Sequence, residues 1–368
     1  MIRFIDVLQG ANRMQSYNLL HTPPHVFKYY RYDDSLNDKR FASEVYMSSP
    51  LDFNDPCDCQ RDVINNATDR IKSKGREWLD NKLLELGYSQ VEAHEKAEQL
   101  LNDDERIKYE VYKRQLERVG ILCLAGTYTD TLMWGYYASN EGYCIEYDIT
   151  KIVERLVVGF VNELDTVTTQ KLFDKDNYGI DPKKRDPKKI TEEQLQFVKQ
   201  FDNRIIPKVT NNLLLEKTPN EIINFLQNVF LKRFSGANID YSVKMDGSPS
   251  TLFFDNANKV SWTKYYKKTN VWKHEREFRI VVSLGGRMAI CIGADCIKNI
   301  YLGCNIKTKN VLDVITLMNK HKLRAGLYKM RRMENCELCA EPIDAVLLRT
   351  MTCDDADEYL RKVCRLRW

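Results

Sequence analysis

Strand-type sequence in this chain falls into three blocks that lie far apart, and this spacing limits the folds that the chain can adopt. The blocks span residues 26–60, 119–150 and 259–335, and they contain short apolar or alternating runs such as GILCL and FRIVVSL. Short runs rich in Val, Ile, Tyr and Phe between polar turn residues are typical of β-strands. A split into two domains near residue 150 would leave few strands in each half. We therefore expect one sheet core assembled from all three blocks.

Helical patterns fill the stretches between the strand blocks. Segments such as REWLDNKLLELGY and EIINFLQNVFLKRF repeat apolar residues at a spacing of three to four. They predict helical insertions at 61–118 and 151–258 and a C-terminal helix at 352–368, with a solvated loop at 174–189 rich in Asp, Pro and Lys. The predicted class is α+β: a discontinuous, mostly antiparallel sheet core with two helical insertions, in a single elaborated domain of residues 1–368.

Composition excludes several classes of protein. Hydrophobic residues make up 43% and charged residues 29% of the chain, which is typical of a globular protein and not of a disordered one. The net charge of +4 permits a local basic patch but does not indicate a dedicated nucleic-acid binder. We find no secretory signal and no apolar run of about 18 residues, so we expect a cytoplasmic protein without a membrane partner. Eleven scattered cysteines fit a reducing compartment.

The segment WKHEREFRIVV, residues 272–282, combines charge with a buried strand. Its apolar end, Ile280–Val282, predicts a strand that enters the core. Glu275, Glu277 and Arg279 alternate ahead of it, so we expect their side chains on one face of that strand. Such a row is either a surface ladder of ion pairs, each of little value for stability, or a functional site.

Three stretches resemble, in this order, the bacterial family known as domain of unknown function 2971. They are the strand and turn that end in PLDFNDP, the segment TLMWGYYASNEGYCIEYD, and KKTNVWKHEREFRIV. The matching residues are Phe53, Asn54, Asp55, Pro56, Met133, Trp134, Tyr137, Ala138, Gly142, Trp272, Glu275, Glu277 and Arg279. Many members carry a histidine where this chain has Tyr136, so a mechanism for this chain cannot depend on that histidine. The family name implies no activity.

The order of a basic strand, a serine-bearing strand end and a late Glu-x-Glu is also similar to the arginine–serine–glutamate pattern of ADP-ribosyltransferases. The resemblance implies that Arg31 holds the phosphates of NAD. It implies that Ser48 or Ser49 supports the nicotinamide pocket, and that Glu277 stabilises the cationic sugar as nicotinamide leaves. Glu275 would orient the acceptor. The sequence departs from that pattern in its Ser-Ser-Pro turn and in its long interval between serine and glutamate.

Other residues allow both a functional and a structural interpretation. Tyr137 carries a phenol that can reach a ligand, and Arg279 is expected to support the cleft beside the two glutamates. Trp134 and Tyr137, three residues apart on a short helix, also fit a role in the core. Arg31 can instead extend its apolar stem over the surface and keep its charge in water.

The leading functional prediction is an ADP-ribosyltransferase-like or NAD-cleaving enzyme with NAD as substrate and a nucleic-acid or protein acceptor. The resemblance also implies a setting of bacterial or phage conflict, as a toxin or in phage defence. One alternative is a non-enzymatic module that binds nucleic acid or a ligand through the basic and aromatic segment 264–276. Another is a nuclease in which Asp55, Glu275 and Glu277 bind magnesium.

Two cysteine pairs raise the question of zinc. Cys336 and Cys339 have the spacing of zinc ligands, whereas Cys57 and Cys59, with one residue between them, do not. The five histidines show no supporting spacing, so we expect reduced, unrelated thiols. The chain also contains no Walker loop, no dinucleotide-binding glycine fingerprint and no nucleophile elbow, which disfavours nucleotide hydrolysis of the usual kind and serine hydrolase chemistry.

Overall fold

A computed structural model describes residues 25–55, 58–59, 75–102, 104–177, 206–241 and 263–364. Their fold belongs to the α+β class, as the sequence predicts.

The strands of the described residues form three sheets. They are β1 (His25–Tyr30), β2 (Glu44–Met47), β3 (Val119–Leu124), β4 (Tyr143–Asp148), β5 (Phe234–Asn238), β6 (Phe278–Ser283), β7 (Met288–Cys291), β8 (Ile297–Leu302), β9 (Gly326–Arg332) and β10 (Leu338–Pro342). The largest sheet has the order β1-β4-β8-β9-β10, and the smaller ones are β3-β6-β5 and β2-β7. All of these pairs are antiparallel except β8 with β9, which confirms the mostly antiparallel arrangement.

Strand β3 connects the three sheets. The residue after its end, Ala125, forms a bridge with Phe27 of β1, and Ile121 forms a bridge with Ser48, directly after β2. Along its length β3 pairs with β6, so that Cys123 lies opposite Arg279. Segments from all three strand blocks of the sequence therefore meet at β3, and the candidate site lies at this junction.

Helices cover the sheets and make up most of the described parts of the two predicted insertions. They are α1 (Asp34–Phe41), α2 (Arg76–Glu85), α3 (Gln90–Leu101), α4 (Glu105–Glu117), α5 (Thr131–Ala138), α6 (Ile149–Asn162), α7 (Thr166–Asn177), α8 (Asn212–Leu215), α9 (Pro219–Arg233), α10 (Thr308–Lys320), α11 (Ala345–Leu348) and α12 (Cys353–Cys364). Helices α3 and α9 begin with capping boxes, in which a Ser or Thr and a Glu three residues later satisfy the first free amides.

Three apolar clusters hold these elements together. The largest joins one face of the five-stranded sheet to α6, α9 and α10, and eight buried apolar residues of α6 belong to it. A second cluster packs α2, α3 and α4 against β3. The third packs α5, through the buried Trp134, against the opposite face of the five-stranded sheet. Each helical layer thus covers sheet surface that would otherwise face water.

The prediction of helix across 151–258 is wrong at β5. The sequence of this strand, FSGAN, has no alternating apolar pattern, and it becomes a strand because its backbone pairs with β6. Strand β10, beyond the predicted limit of the sheet at residue 335, likewise depends on its partner β9. The predicted loop at 174–189 overlaps the end of α7 as far as Asn177, and its remainder lies outside the described residues, as do 60–74 and 365–368.

None of the helices in the described part of the chain is both long enough and apolar enough to cross a bilayer.

Two glycines provide a matched test of the backbone contacts. Gly142 precedes β4, where an added Cβ would collide with the carbonyl oxygen of Tyr30 at the end of β1, whereas no other atom lies within 4 Å of a Cβ added to Gly135 in α5. We expect Gly142→Ala to lower the free energy of unfolding by about 1–3 kcal/mol. Gly135→Ala should raise it by about 0.5–1 kcal/mol, because alanine favours helices. Urea denaturation measures both, and equal effects of the two substitutions would contradict the assigned contacts.

Candidate functional site

A pocket of about 400 Å³ opens where β1, β3, β6 and the segment after β2 meet. Its size lies within the range of about 300–1,000 Å³ that is typical of small-molecule sites. The polar residues that line it are Lys28, Arg31, Ser48, Asp52, Asn54, Asp58, Lys268, Glu275, Glu277 and Arg279. The apolar, aromatic and thiol residues are Phe27, Tyr29, Phe53, Cys123, Leu124, Ala125, Met133, Tyr136 and Tyr137.

The guanidinium of Arg279, on β6, lies fully buried in the floor of the pocket. Its Nε and Nη2 donate to the two carboxylate oxygens of Glu277 over 2.6 and 2.9 Å. Its Nη1 and Nη2 donate to the two oxygens of Asp58, and Nη1 also donates to the carbonyl of Tyr265 over 2.9 Å. All five N–H groups of the guanidinium therefore have acceptors, as a buried arginine requires.

Lys268 supplies a second cation to the same carboxylates. Its Nζ lies 2.6 Å from Glu275 Oε2, 3.5 Å from Glu277 Oε2 and 3.6 Å from Asp58 Oδ2. The indole of Trp272 covers the ammonium, with Nζ 4.7 Å from the ring centre. Because Lys268 is only 4% exposed, these partners replace the water that a lysine normally binds.

Glu275 is held by Lys268 and by the Tyr137 hydroxyl, which donates to Oε1 over 2.7 Å. The expectation that Glu275 lies on the strand with Glu277 and Arg279 is wrong. Glu275 closes a short 3₁₀ helix, Asn270–Glu275, and Arg276 then adopts a left-handed conformation with φ of 45° before β6 begins. Because of the turn at Arg276, the side chains of Glu275 and Glu277 do not follow the alternating pattern of one strand. Glu275 nevertheless lines the pocket.

The floor of the pocket carries surplus negative charge, because three buried carboxylates face two cations. Burial opposes ionisation of Glu277, but the Arg279 guanidinium and the Lys268 ammonium outweigh it and lower the pKa of this carboxyl. Burial and the neighbouring charge of Glu277 raise the pKa of Glu275. The same environment thus pushes the pKa values of two neighbouring carboxyls in opposite directions, an arrangement that recurs in acid–base sites.

The structure brings together most of the site residues that the sequence predicts. Glu275, Glu277, Arg279, Tyr137, Arg31 and Ser48 all line the pocket. Arg31 is exposed at the rim, where it donates to the carbonyl of Tyr136 over 3.2 Å. Ser49 does not line the pocket: it is fully buried, caps the 3₁₀ helix Pro50–Asp52 and donates to the carbonyl of Leu116.

Sequence reasoning missed Lys268, Asp58 and Lys28. Lys268 lies in a run of lysines and tyrosines, and Asp58 lies between two cysteines. Nothing in either local pattern distinguishes a buried ion-pair partner from a solvated charge. Lys28 stands between Phe27 and Tyr29 on β1, and a single lysine within an apolar and aromatic strand is the one signal that could have indicated a lysine in an interior position.

The zinc candidates that the structure describes, Cys59, Cys336 and Cys339, are free cysteines. Cys59 is buried, 3.4 Å from Arg279 Nη1, whereas Cys336 is exposed at the turn between β9 and β10. Cys57 lies outside the described residues, and Asp55 does not line the pocket. Across the described ranges no group of three or more His, Cys, Asp or Glu side chains is placed to hold a metal ion.

Comparison with protein-family models, curated proteins and solved structures finds no match for this chain.

Two arginine–aspartate contacts test the structural role of the pocket floor. We expect Arg279→Gln to lower the free energy of unfolding by about 3–5 kcal/mol, because it removes the cation that donates to both oxygens of Asp58 and of Glu277. The control is Arg287→Gln, which breaks the exposed pair of Arg287 with Asp52 and should cost at most about 1 kcal/mol. Urea denaturation followed by tryptophan fluorescence gives both values. Similar losses in the two variants would show that burial does not strengthen the inner pair.

The opposite pKa shifts predict opposite responses to acid. The lowered pKa of Glu277 means that its ionised form stabilises the fold at neutral pH, and that this contribution disappears as the pH falls through that pKa. The raised pKa of Glu275 means that its ionised form costs stability at neutral pH, and that this cost disappears on acidification.

The measurement is the difference in unfolding free energy between wild type and each of Glu277→Gln and Glu275→Gln, from pH 7 downward. The stability advantage of wild type over Glu277→Gln should shrink on acidification. Relative to Glu275→Gln, wild type should instead gain stability. Two differences that move in the same direction would disprove the assignment.

Proposed function

We propose that this protein cleaves the bond between nicotinamide and ribose in NAD, and transfers the ADP-ribosyl group to an acceptor or to water. The observation that carries the proposal is the buried carboxyl pair, Glu275 and Glu277, with pKa values displaced in opposite directions at the floor of a pocket. Paired carboxyls of this kind support the cleavage of glycosidic bonds, of which the nicotinamide–ribose bond is one.

The surplus negative charge of the floor supports stabilisation of a cationic sugar. When the C–N bond breaks, its electron pair leaves with nicotinamide, and positive charge develops at the ribose carbon. Carboxylates that are fixed in a buried site stabilise such charge without having to reorient. Glu277 remains ionised beside Arg279, which suits this electrostatic role.

Glu275 suits the second half of the reaction. The acceptor oxygen or nitrogen forms a new bond to the ribose carbon and loses a proton. A carboxylate whose pKa is raised is a better base than an ordinary one at neutral pH. In this proposal Glu275 receives that proton, and the Tyr137 hydroxyl, 2.7 Å from Oε1, orients it.

The exposed guanidinium of Arg31 supports binding of the anionic part of NAD. It lies at the rim, on the wall formed by β1, where a phosphate can reach it from solvent. Ser48 lines the pocket after β2 and can donate to the ligand, which leaves Ser49 to the structural role described above. A role in bacterial or phage conflict, as a toxin or in phage defence, belongs to the same proposal through the family resemblance.

A second candidate function is binding of single-stranded nucleic acid without catalysis. The rings of Tyr136, Trp272 and His274 lie within 6.1–6.5 Å of one another, and Tyr136, which lines the pocket, is 56% exposed. Lysine and arginine residues flank these rings in the segment 264–276. Aromatic rings among basic groups can stack bases and contact phosphates. This function predicts binding that weakens with salt and yields no product.

Release of nicotinamide from NAD by the purified protein tests the proposal. We expect release by wild type and a loss of rate of about 100-fold or more in Glu277→Gln and in Glu275→Gln. Glu110→Gln changes an exposed carboxylate on α4 outside the pocket and should leave the rate unchanged. Mixed DNA, RNA and cell protein are added in separate reactions to supply an acceptor.

Thermal melting of each variant separates lost chemistry from lost folding. A variant that melts as wild type does and releases no nicotinamide supports the assigned role. Absence of release by wild type under all conditions, together with no effect of NAD on its melting temperature, would refute the proposed function. Salt-sensitive binding of single-stranded DNA or RNA in that case would favour the second candidate.

A further inference from the structure

Lys28 lies inside the pocket but outside its ion-pair network. It comes from the middle of β1, is partly buried and lines the cavity. Its Nζ donates one hydrogen bond, to the carbonyl of Cys123 on β3, over 3.0 Å. An ammonium has three N–H groups, so this contact uses one of them.

The carboxylates of the floor are already engaged by other cations. Asp58 and Glu277 contact both Arg279 and Lys268, and Glu275 contacts Lys268. Among the residues that the structure describes, no carboxylate oxygen lies within 4.0 Å of Lys28 Nζ, although the charge of Glu277 acts on it from a greater distance. The described part of the chain therefore leaves two N–H groups of Lys28 for a ligand in the pocket.

Positive charge extends from Lys28 to Arg31 along the same wall, and Arg40 adds to it from outside the pocket lining. Arg31 lies three residues further at the rim, and Arg40 of α1 donates to the backbone carbonyl of Arg31 over 2.9 Å. The Arg40 guanidinium also lies over the ring of Tyr30, 4.7 Å from its centre. The pocket is thus polarised, with cations along β1 and the carboxylate surplus at its floor, and such a field favours an anion beside β1.

The energetics of Lys28 agree with this picture. Burial is the main cause that lowers the pKa of Lys28, and the positive charge of Arg40 adds to it, against the opposing influence of Cys123 and Glu277. A partly dehydrated ammonium with few partners is costly in the free protein. An anion that binds to it restores its interactions, so part of the binding energy comes from this restoration.

We propose that Lys28 is the inner anion-binding residue of the pocket, and that its two remaining N–H groups donate to oxygens of a phosphate or diphosphate group of the ligand. Arg31 would bind the same group from the rim. The inference rests on the proposed function only where it identifies this group as the diphosphate of NAD. Its general form, a phosphorylated ligand beside β1, follows from the placement of Lys28 alone.

Inorganic pyrophosphate is the probe for the general form. Isothermal titration calorimetry at constant ionic strength should show binding to wild type and binding that is about 10- to 100-fold weaker in Lys28→Met, since one charged hydrogen-bond donor is lost. Lys39→Met removes the same charge from the exposed face of α1 outside the pocket and should bind as wild type does. Lys28→Arg keeps the charge and should retain most of the affinity.

Lack of pyrophosphate binding by wild type, or equal binding by wild type and a folded Lys28→Met, would overturn the inference. If Lys28→Met does not fold, the result with Lys28→Gln decides in the same way. The outcome is independent of catalysis: pyrophosphate binding that depends on Lys28, together with no release of nicotinamide and no effect of NAD on the melting temperature, would overturn the proposed function and retain the inference.

A second arm connects the site to NAD. Lys28→Met should weaken the binding of ADP-ribose, which contains the diphosphate, by a similar factor of about 10–100. Binding of nicotinamide riboside, which contains no phosphate, should stay unchanged in the same variant. Equal weakening of both ligands would show that Lys28 acts on the shape of the pocket and not on a phosphate, and would contradict the inference.

Discussion

The buried guanidinium of Arg279 is the interaction on which the rest of the site depends. It joins Glu277, two residues earlier on the chain, with Asp58, more than 200 residues earlier, and with the backbone of Tyr265. Burying an arginine is costly unless every donor finds an acceptor, and here the five acceptors come from three separate segments. The pocket floor therefore forms only where the segments of Glu277, Asp58 and Tyr265 contact the same guanidinium. These contacts connect β6 to the loop that follows β2.

This coupling explains how charge can be concentrated in the interior. Arg279 and Lys268 compensate part of the charge of Asp58, Glu275 and Glu277, and the remainder is directed at the cavity. Glu277 stays ionised because a cation contacts both of its oxygens. Glu275, which faces a single ammonium and a phenol, receives less compensation. The opposite pKa shifts of two identical side chains thus arise from their partners and not from their chemical type.

The proposed chemistry uses this division. A floor with surplus negative charge suits a developing cation, and a wall of lysine and arginine suits an anion. A ligand that carries a cationic and an anionic part, such as NAD, matches both ends of the pocket at once. A ligand with only negative or only positive charge would match only one end of the pocket. For this reason we propose cleavage of NAD and not the binding of a simple ion.

The sequence by itself determined the α+β class and the position of most helices and strands, and it predicted that Glu275, Glu277 and Arg279 share one cleft, because periodicity and charge placement are local properties. It did not predict strand β5, whose sequence FSGAN acquires its conformation from pairing with β6. Only the tertiary structure decided that Lys268 and Asp58 complete the network, that Ser48 and not Ser49 faces the cavity, and that Lys28 has donors to spare. Each of these three findings depends on which segments, distant in the sequence, are neighbours in the fold. Such long-range contacts cannot be predicted from the local sequence pattern.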